Sequence, residues 1–264
     1  MLTDSHCHLN LLDLSEFDNN LDKVMQEINN AGIKKLVCVA VNLKDFPEIV
    51  NIQKKYNWID ISVGVHPNED FNVNLYEEYQ EILKLAQENI KNNLVAIGET
   101  GLDFYRSEKS LIDKQKQRLE NHIECAKQVK RPLIIHTRSA KDLAVEILSQ
   151  NQAYDVGGVM HCFTETWDIA KKALDIDFYI SFSGIVSFKN AVELQEVAKK
   201  VPNDKLLIET DSPYLAPVPK RGKPNYPHYV KHVAEKLAEL RNTSYNEILE
   251  ISYNNYLKLF AKKR

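Results

Sequence analysis

The sequence predicts a (β/α)8 barrel of the TIM type with an extra C-terminal helix, forming one domain over residues 1–264. Three observations predict it. Eight short apolar runs recur along the chain, each of a length that suits a buried strand. Helical patterns fall between them, and strand–helix alternation means parallel strands joined by right-handed crossovers. Residues suited to metal ligation end five of these runs, and such ends converge in a barrel, whose active site lies at the C-terminal ends of its strands.

The runs are LTDSHCH (2–8), KKLVCVAVN (34–42), IDISVGVHP (59–67), LVAIGETGLD (94–103), PLIIHTR (132–138), GVMHCF (158–163), FYISFSG (178–184) and LLIETDSP (206–213). After the first, FDNNLDKVMQEINNAG reads as a helix that stops at Ala31-Gly32. YEEYQEILKLAQENI and KQRLENHIECAKQV repeat apolar residues every three or four positions. SAKDLAVEILSQ opens on Ser139, a residue suited to an N-cap. TETWDIAKKALD and NAVELQEVAKKV continue the alternation, and YPHYVKHVAEKLAELR and a terminal helix, NEILEISYNNYLKLFAKKR, follow the eighth run.

At 264 residues, 44% apolar, the chain can bury a sizeable core and has the length of one α/β barrel. No Pro/Gly/Ser-rich linker divides it, and a GxGxxG turn after the first strand is missing, which argues against an open dinucleotide-binding sheet. A net charge of −3 does not suit a coat for nucleic acid, so any nucleic acid would be gripped locally at a short end. Cys7, Cys38, Cys125 and Cys162 form no CxxC pair and read as small buried hydrophobes in a reducing compartment. The start of the chain carries no secretory pattern, and no apolar stretch is long enough to span a bilayer. The expectation is a cytoplasmic protein with no membrane association and no stable protein partner.

His6 and His8 are two apart on a strand, so alternation puts both on one face, and Asp4 shares that face and can orient a histidine. Glu99 follows Val95-Ala96-Ile97-Gly98. A carboxylate buried there needs a partner, which a divalent cation supplies, and its two oxygens allow it to bridge two ions. His136 and His161 end the next two runs, each offering one neutral imidazole. Asp211 can ligate metal, accept a proton from metal-activated water, or both. Glu209, two residues earlier, either binds an additional cation or holds a neighbour in place.

The segments DSHCH, VGVHP, AIGETGLD, PLIIHTR, GVMHCF and LLIETDSPYLAPVPKRGKPN resemble those of the TatD-type metal-dependent hydrolases, within the amidohydrolase-like barrel superfamily. The resemblance runs from residue 2 to the terminal helix and is strongest to the bacterial TatD-like deoxyribonucleases. It implies metals at His6, His8, Glu99, His136, His161 and Asp211, with Glu99 between two ions, and each of these positions holds the expected residue type.

Around this set, Arg106, Arg138, Lys220, Arg221, Lys223 and Asn225 are placed to meet a substrate, and arginine suits phosphate because its guanidinium binds two oxygens at once. Tyr105 is a candidate for stacking on a base, and Phe104 for packing at the rim. His66 ends the third run and is expected to contact substrate or water without ligating a metal. His228 and His232, four apart without an HExxH glutamate, are expected on a solvated helix face, and His122 on a helix surface.

Water activated by two metals attacks phosphorus or a carbonyl carbon. The first expectation is phosphodiester hydrolysis, trimming DNA from a 3′ end, with Asp211 taking the proton. The alternatives are an ester or amide hydrolase, such as a D-aminoacyl-tRNA deacylase, and a non-catalytic metal or nucleic-acid binding protein on the same scaffold. The histidine-rich ligand set favours Zn²⁺ or Mn²⁺, with Mg²⁺ a poorer match to imidazole.

Overall fold

Each apolar run of the sequence becomes a strand in a computed structural model that describes residues 1–140 and 142–261. The strands are β1 Leu2–Cys7, β2 Ile33–Cys38, β3 Asp60–Val63, β4 Leu94–Asp103, β5 Leu133–Arg138, β6 Gly158–Met160, β7 Tyr179–Phe182 and β8 Leu206–Ile208. They form one parallel sheet in the order β1 to β8. The sheet closes just beyond β8, where the Asp211 N–H donates to His6 O at 3.0 Å and the His8 N–H donates to Ser212 O at 2.8 Å. The architecture is a TIM barrel.

Helices α1 Leu21–Asn30, α2 Phe46–Lys55, α3 Leu75–Asn89, α4 Ile112–Val129, α5 Leu143–Gln150, α6 Trp167–Asp175 and α7 Val192–Lys200 connect successive strands. Two more, α8 Val230–Arg241 and α9 Tyr245–Phe260, follow β8. Helix α2 has no counterpart among the helical patterns read from the sequence. Pro47 sits in its first turn, and only Phe46, Ile49, Ile52 and Gln53 are buried. Helix α5 starts later than expected. Ser139 has φ of 56°, a left-handed conformation that an N-cap does not take, and Lys141, inside the expected helix, lies outside the described residues. So do residues 262–264 of the expected terminal helix.

Alternation along the strands builds the barrel in layers. Val37, Val95, Ile134, Val159, Tyr179 and Leu207 belong to one buried cluster that also holds Tyr256 and Phe260 of α9. Ile134, Val159 and Leu207 stand two residues before His136, His161 and Glu209, so the apolar layer lies directly beneath the polar one. Helix α9 crosses the strand beginnings. Its Asn255 donates to Leu206 O at 2.8 Å, and its Tyr256 hydroxyl donates to Asp60 Oδ2 at 2.7 Å. The extra helix closes the N-terminal end of the barrel.

Strand β4 lies against both neighbours at unusually short range. A Cβ on Gly101, whose φ is +145°, would come within 1.9 Å of His136 O, and one on Gly64 would meet Gly98 Cα at 2.5 Å. These glycines let the strand bearing Glu99 press between β3 and β5.

His122, expected on a surface, is fully buried in α4. Its Nε2 accepts the Val65 N–H at 3.0 Å, and its Nδ1 faces Arg118 O at 2.7 Å. Burial pulls its pKa down to about 4, so it is neutral in the native protein at neutral pH. The unfolded chain therefore binds one more proton between about pH 6.5 and 4, and native stability falls as the pH falls through that window and levels off below it. The share of His122 is about 3 kcal/mol. Urea midpoints measured across this range in wild type and His122→Leu check it: the variant should start lower at pH 7 and lose less on acidification.

Candidate metal centre

At the C-terminal mouth of the barrel, imidazoles and carboxylates from β1, β4, β5 and the segments after β1, β3, β6 and β8 converge. His6 and His8 bring their Nε2 atoms within 3.2 Å of each other. Glu99 Oε2 lies 3.4 Å from the first and 3.8 Å from the second, and Asp211 Oδ1 lies 3.7 and 3.5 Å from them. A tetrahedral ion with ligands at about 2.1 Å spaces its donors about 3.4 Å apart, so these four atoms have the separations of a coordination shell. Among the described residues, three sets place donor atoms within 4.8 Å of one another: His6, His8 and Glu99; His6, His161 and Asp211; and His66, Glu99 and His136.

Glu99 turns its other oxygen to a second group. Oε1 lies 2.8 Å from His161 Nε2, 3.1 Å from His136 Nδ1 and 3.4 Å from His66 Nε2. The side chains of His6, His8, Glu99 and His161 are all at most 3% exposed.

The rings are held from behind. His8 Nδ1 faces Val39 O at 2.9 Å and His161 Nδ1 faces Glu209 Oε1 at 3.3 Å, while His136 Nε2 lies 3.4 Å from Asp103 Oδ2, beyond a well-aligned hydrogen bond. Each backing acceptor favours the tautomer whose lone pair points into the centre. Asp103 went unnoticed in the sequence, where it is one more residue at the end of β4. It also accepts the Asn68 side-chain amide at 2.8 Å and the backbone N–H groups of Tyr105 and Arg106. Glu209 additionally accepts the Cys162 N–H at 2.6 Å.

Burial opposes charge throughout the centre, and the neighbours overrule it. The His161 and His66 rings, with hydrogen bonds from His136 and His161, hold the Glu99 carboxyl well below the usual carboxylate range. Burial likewise disfavours a charged His161, but Glu99 and Glu209 push its pKa well above the ordinary value. His8 is raised by Asp211 and Glu99 against burial, whereas burial and His161 lower His6. Burial brings His66 down to about 4 despite Glu99.

A cation fits this donor set. Two imidazole nitrogens at 3.2 Å repel unless a proton or a metal lies between them. Nitrogen and carboxylate oxygen donors in this ratio suit a borderline divalent ion. Because ligand imidazoles must be neutral, binding would release protons.

Other expected residues are placed as follows. Asp4 does not reach a histidine ring. It accepts the N–H and hydroxyl of Thr210 at 2.9 and 2.6 Å and the His6 N–H at 3.3 Å, tying β1 to the segment that carries Asp211. Burial pushes its carboxyl up to about 8. Asn225, expected to meet substrate, is fully buried. Its amide donates to Thr210 O and Tyr214 O, and its oxygen accepts the Tyr226 N–H, so it braces the turn around Asp211 and is not free for a ligand. Arg106 and Arg221 are exposed and Arg138 is half-buried. The Arg138 guanidinium lies 4.0 Å over the Tyr105 ring, and that of Arg221 lies 4.3 Å over Phe188. Tyr105 is 67% exposed, as expected of a stacking residue, whereas Phe104 packs against the core. Tyr214, 53% exposed with its ring 6.2 Å from His8, was missed because nothing nearby in the sequence marks it as a rim residue. His228 and His232 are half-buried instead of solvated. His228 stacks on Tyr226, and His232 Nδ1 lies 2.8 Å from Glu235 Oε2.

The family model described as TatD related DNase matches residues 3–261. The metal-dependent hydrolase YcfH of Escherichia coli K12 is 40% identical over 259 residues, covering 98% of this chain and 95% of its own. The metal-dependent hydrolase YabD of Bacillus subtilis 168 is 40% identical over 260 residues, covering 98% and 99%. The crystal structure of YjjV, a TatD homologue from Escherichia coli K12, has the same fold, with a TM-score of 0.90 at 24% identity over 99% of this chain and 98% of that one. A barrel whose mouth gathers these donors, matched along nearly its whole length by such relatives, belongs to the TatD family of metal-dependent hydrolases.

Proposed function

We propose that this protein is a deoxyribonuclease that hydrolyses phosphodiester bonds from a 3′ end, using two divalent ions held within one domain. The observation that carries the reading is the two-sided placement of Glu99. Oε2 faces His6 and His8, which Asp211 also approaches, while Oε1 faces His136 and His161. One ion would sit with each group. When bound, the ions polarise the phosphoryl oxygen and acidify the attacking water. Four imidazoles and two carboxylates favour Zn²⁺ or Mn²⁺ over Mg²⁺.

Asp211 receives the proton of the attacking water on the carboxylate oxygen turned away from His6 and His8. Glu209 and Asp103 keep the His161 and His136 rings in register. Arg106, Arg138 and Arg221 at the rim favour an anionic substrate, and the open face of Tyr105, already backed by Arg138, suits a base. The family's description as TatD related DNase supports the same substrate. Free cysteines, three of them buried, fit a cytoplasmic setting. No helix among the described residues is long and apolar enough to cross a membrane.

The test uses purified protein loaded with Zn²⁺, Mn²⁺ or Mg²⁺ and three substrates: 5′-labelled single-stranded DNA, a mischarged tRNA and a simple carboxylic ester. Progressive shortening of the labelled DNA from its 3′ end is expected. Turnover of the aminoacyl or ester bond with intact DNA would replace this reading with the deacylase one.

A further inference from the structure

We propose that His66 is not a metal ligand but presents its Nε2–H to an oxygen of the substrate. This rests on the metal-dependent phosphodiesterase reading above.

Five histidines stand at the barrel mouth, and the back sides of four of them, His8, His66, His136 and His161, tell those four apart. Behind His8, His136 and His161 stand a carbonyl or a carboxylate. An acceptor there holds the ring proton at the back and leaves a lone pair in front. Behind His66 stands a donor, the Asn68 backbone N–H, 3.1 Å from Nδ1. A ring nitrogen that accepts a hydrogen bond carries no proton, so in neutral His66 the proton is on Nε2. That atom points into the centre, and an N–H cannot ligate a metal.

The Nε2–H is also uncommitted. Its nearest acceptor, Glu99 Oε1, is 3.4 Å away and is already approached more closely by His161 and His136. The His66 side chain is 18% exposed, as is that of His136, in contrast to His6, His8 and His161. It therefore opens on the cleft through which a substrate must arrive. Its backbone is pinned on both sides, by the His66 N–H donating to Val41 O at 2.8 Å and by Arg118 reaching the His66, Glu69 and Asp70 carbonyls at 3.4, 3.2 and 2.8 Å. A fixed neutral donor beside the centre is suited to a phosphoryl oxygen, whether non-bridging or leaving, on which charge builds as the ester bond breaks.

The experiment compares His66→Leu, which has no donor, with His66→Gln, whose amide N–H reaches a similar position. Zinc per chain is measured by elemental analysis after dialysis, inorganic phosphate affinity of the zinc-loaded protein by calorimetry, and kcat and KM on single-stranded DNA. Both variants should retain the wild-type zinc content. His66→Leu should lose about 10²-fold in kcat and about tenfold in phosphate affinity, and His66→Gln should restore a large part of both. A fall in zinc content in His66→Leu would make His66 a ligand and overturn the proposal. Unchanged phosphate affinity and kcat would overturn it too. If wild type leaves DNA intact while phosphate affinity follows the expected order of the variants, the nuclease reading fails and the role of His66 stands.

Discussion

Glu99→Gln is expected to lose both proposed ions together and about 10³-fold in kcat/KM, equivalent to roughly 4 kcal/mol of transition-state stabilisation. The substitution keeps the shape of the side chain and removes its charge. Each carboxylate oxygen faces its own set of donors, Oε2 toward His6 and His8 and Oε1 toward His136 and His161. A neutral amide offers one oxygen and one NH₂, so at least one side meets N–H groups where it needs a lone pair. Loss on one side would then weaken the other, because the two proposed ions would share one anion. Elemental analysis and activity measured on the same preparation check this. Retention of one ion with half-maximal or better activity would show that the two positions are independent of Glu99.

Arg118→Met is expected to cost about 3–5 kcal/mol of stability, the range for stripping one partner from a buried ion pair. Arg118 is 1% exposed. Its Nε and Nη2 meet Glu78 Oε1 and Oε2 at 2.8 and 2.9 Å, and the guanidinium lies 3.8 Å over the Phe71 ring. It also reaches the His66, Glu69 and Asp70 carbonyls, so the loop after β3 is tied to α3 and α4 through one side chain. Methionine fills much of the volume but leaves the Glu78 carboxylate without its buried partner. The double variant Glu78→Leu/Arg118→Met should recover part of the loss, since the stranded charge goes with it. Urea midpoints for the single and double variants decide the matter. Equal losses in both would place the cost in the loop carbonyls and not in the ion pair.

The barrel was legible in the sequence because its strands are buried on both faces and therefore read as nearly unbroken apolar runs. The polar residues that end those runs stand out for the same reason, and His6, His8, Glu99, His136, His161 and Asp211 do meet at one place. Strand ends were less legible. The runs to 67, 163 and 213 end as strands at Val63, Met160 and Ile208, because the chain leaves the ladder to aim side chains inward, with Cys162 and Asp211 in left-handed conformations. Polar residues buried by distant partners were not legible at all. His122 is paid for by an N–H fifty-seven positions away, and Asn225 by the carbonyls of a turn that the sequence does not announce. Helix α2 escaped notice because its buried face is only four residues.

Tyr256 and Phe260 stopper the barrel from below. Among the described residues, the centre is therefore shut off from the end of the barrel that this helix covers, and a ligand has to approach from the opposite end, past Tyr105 and Tyr214.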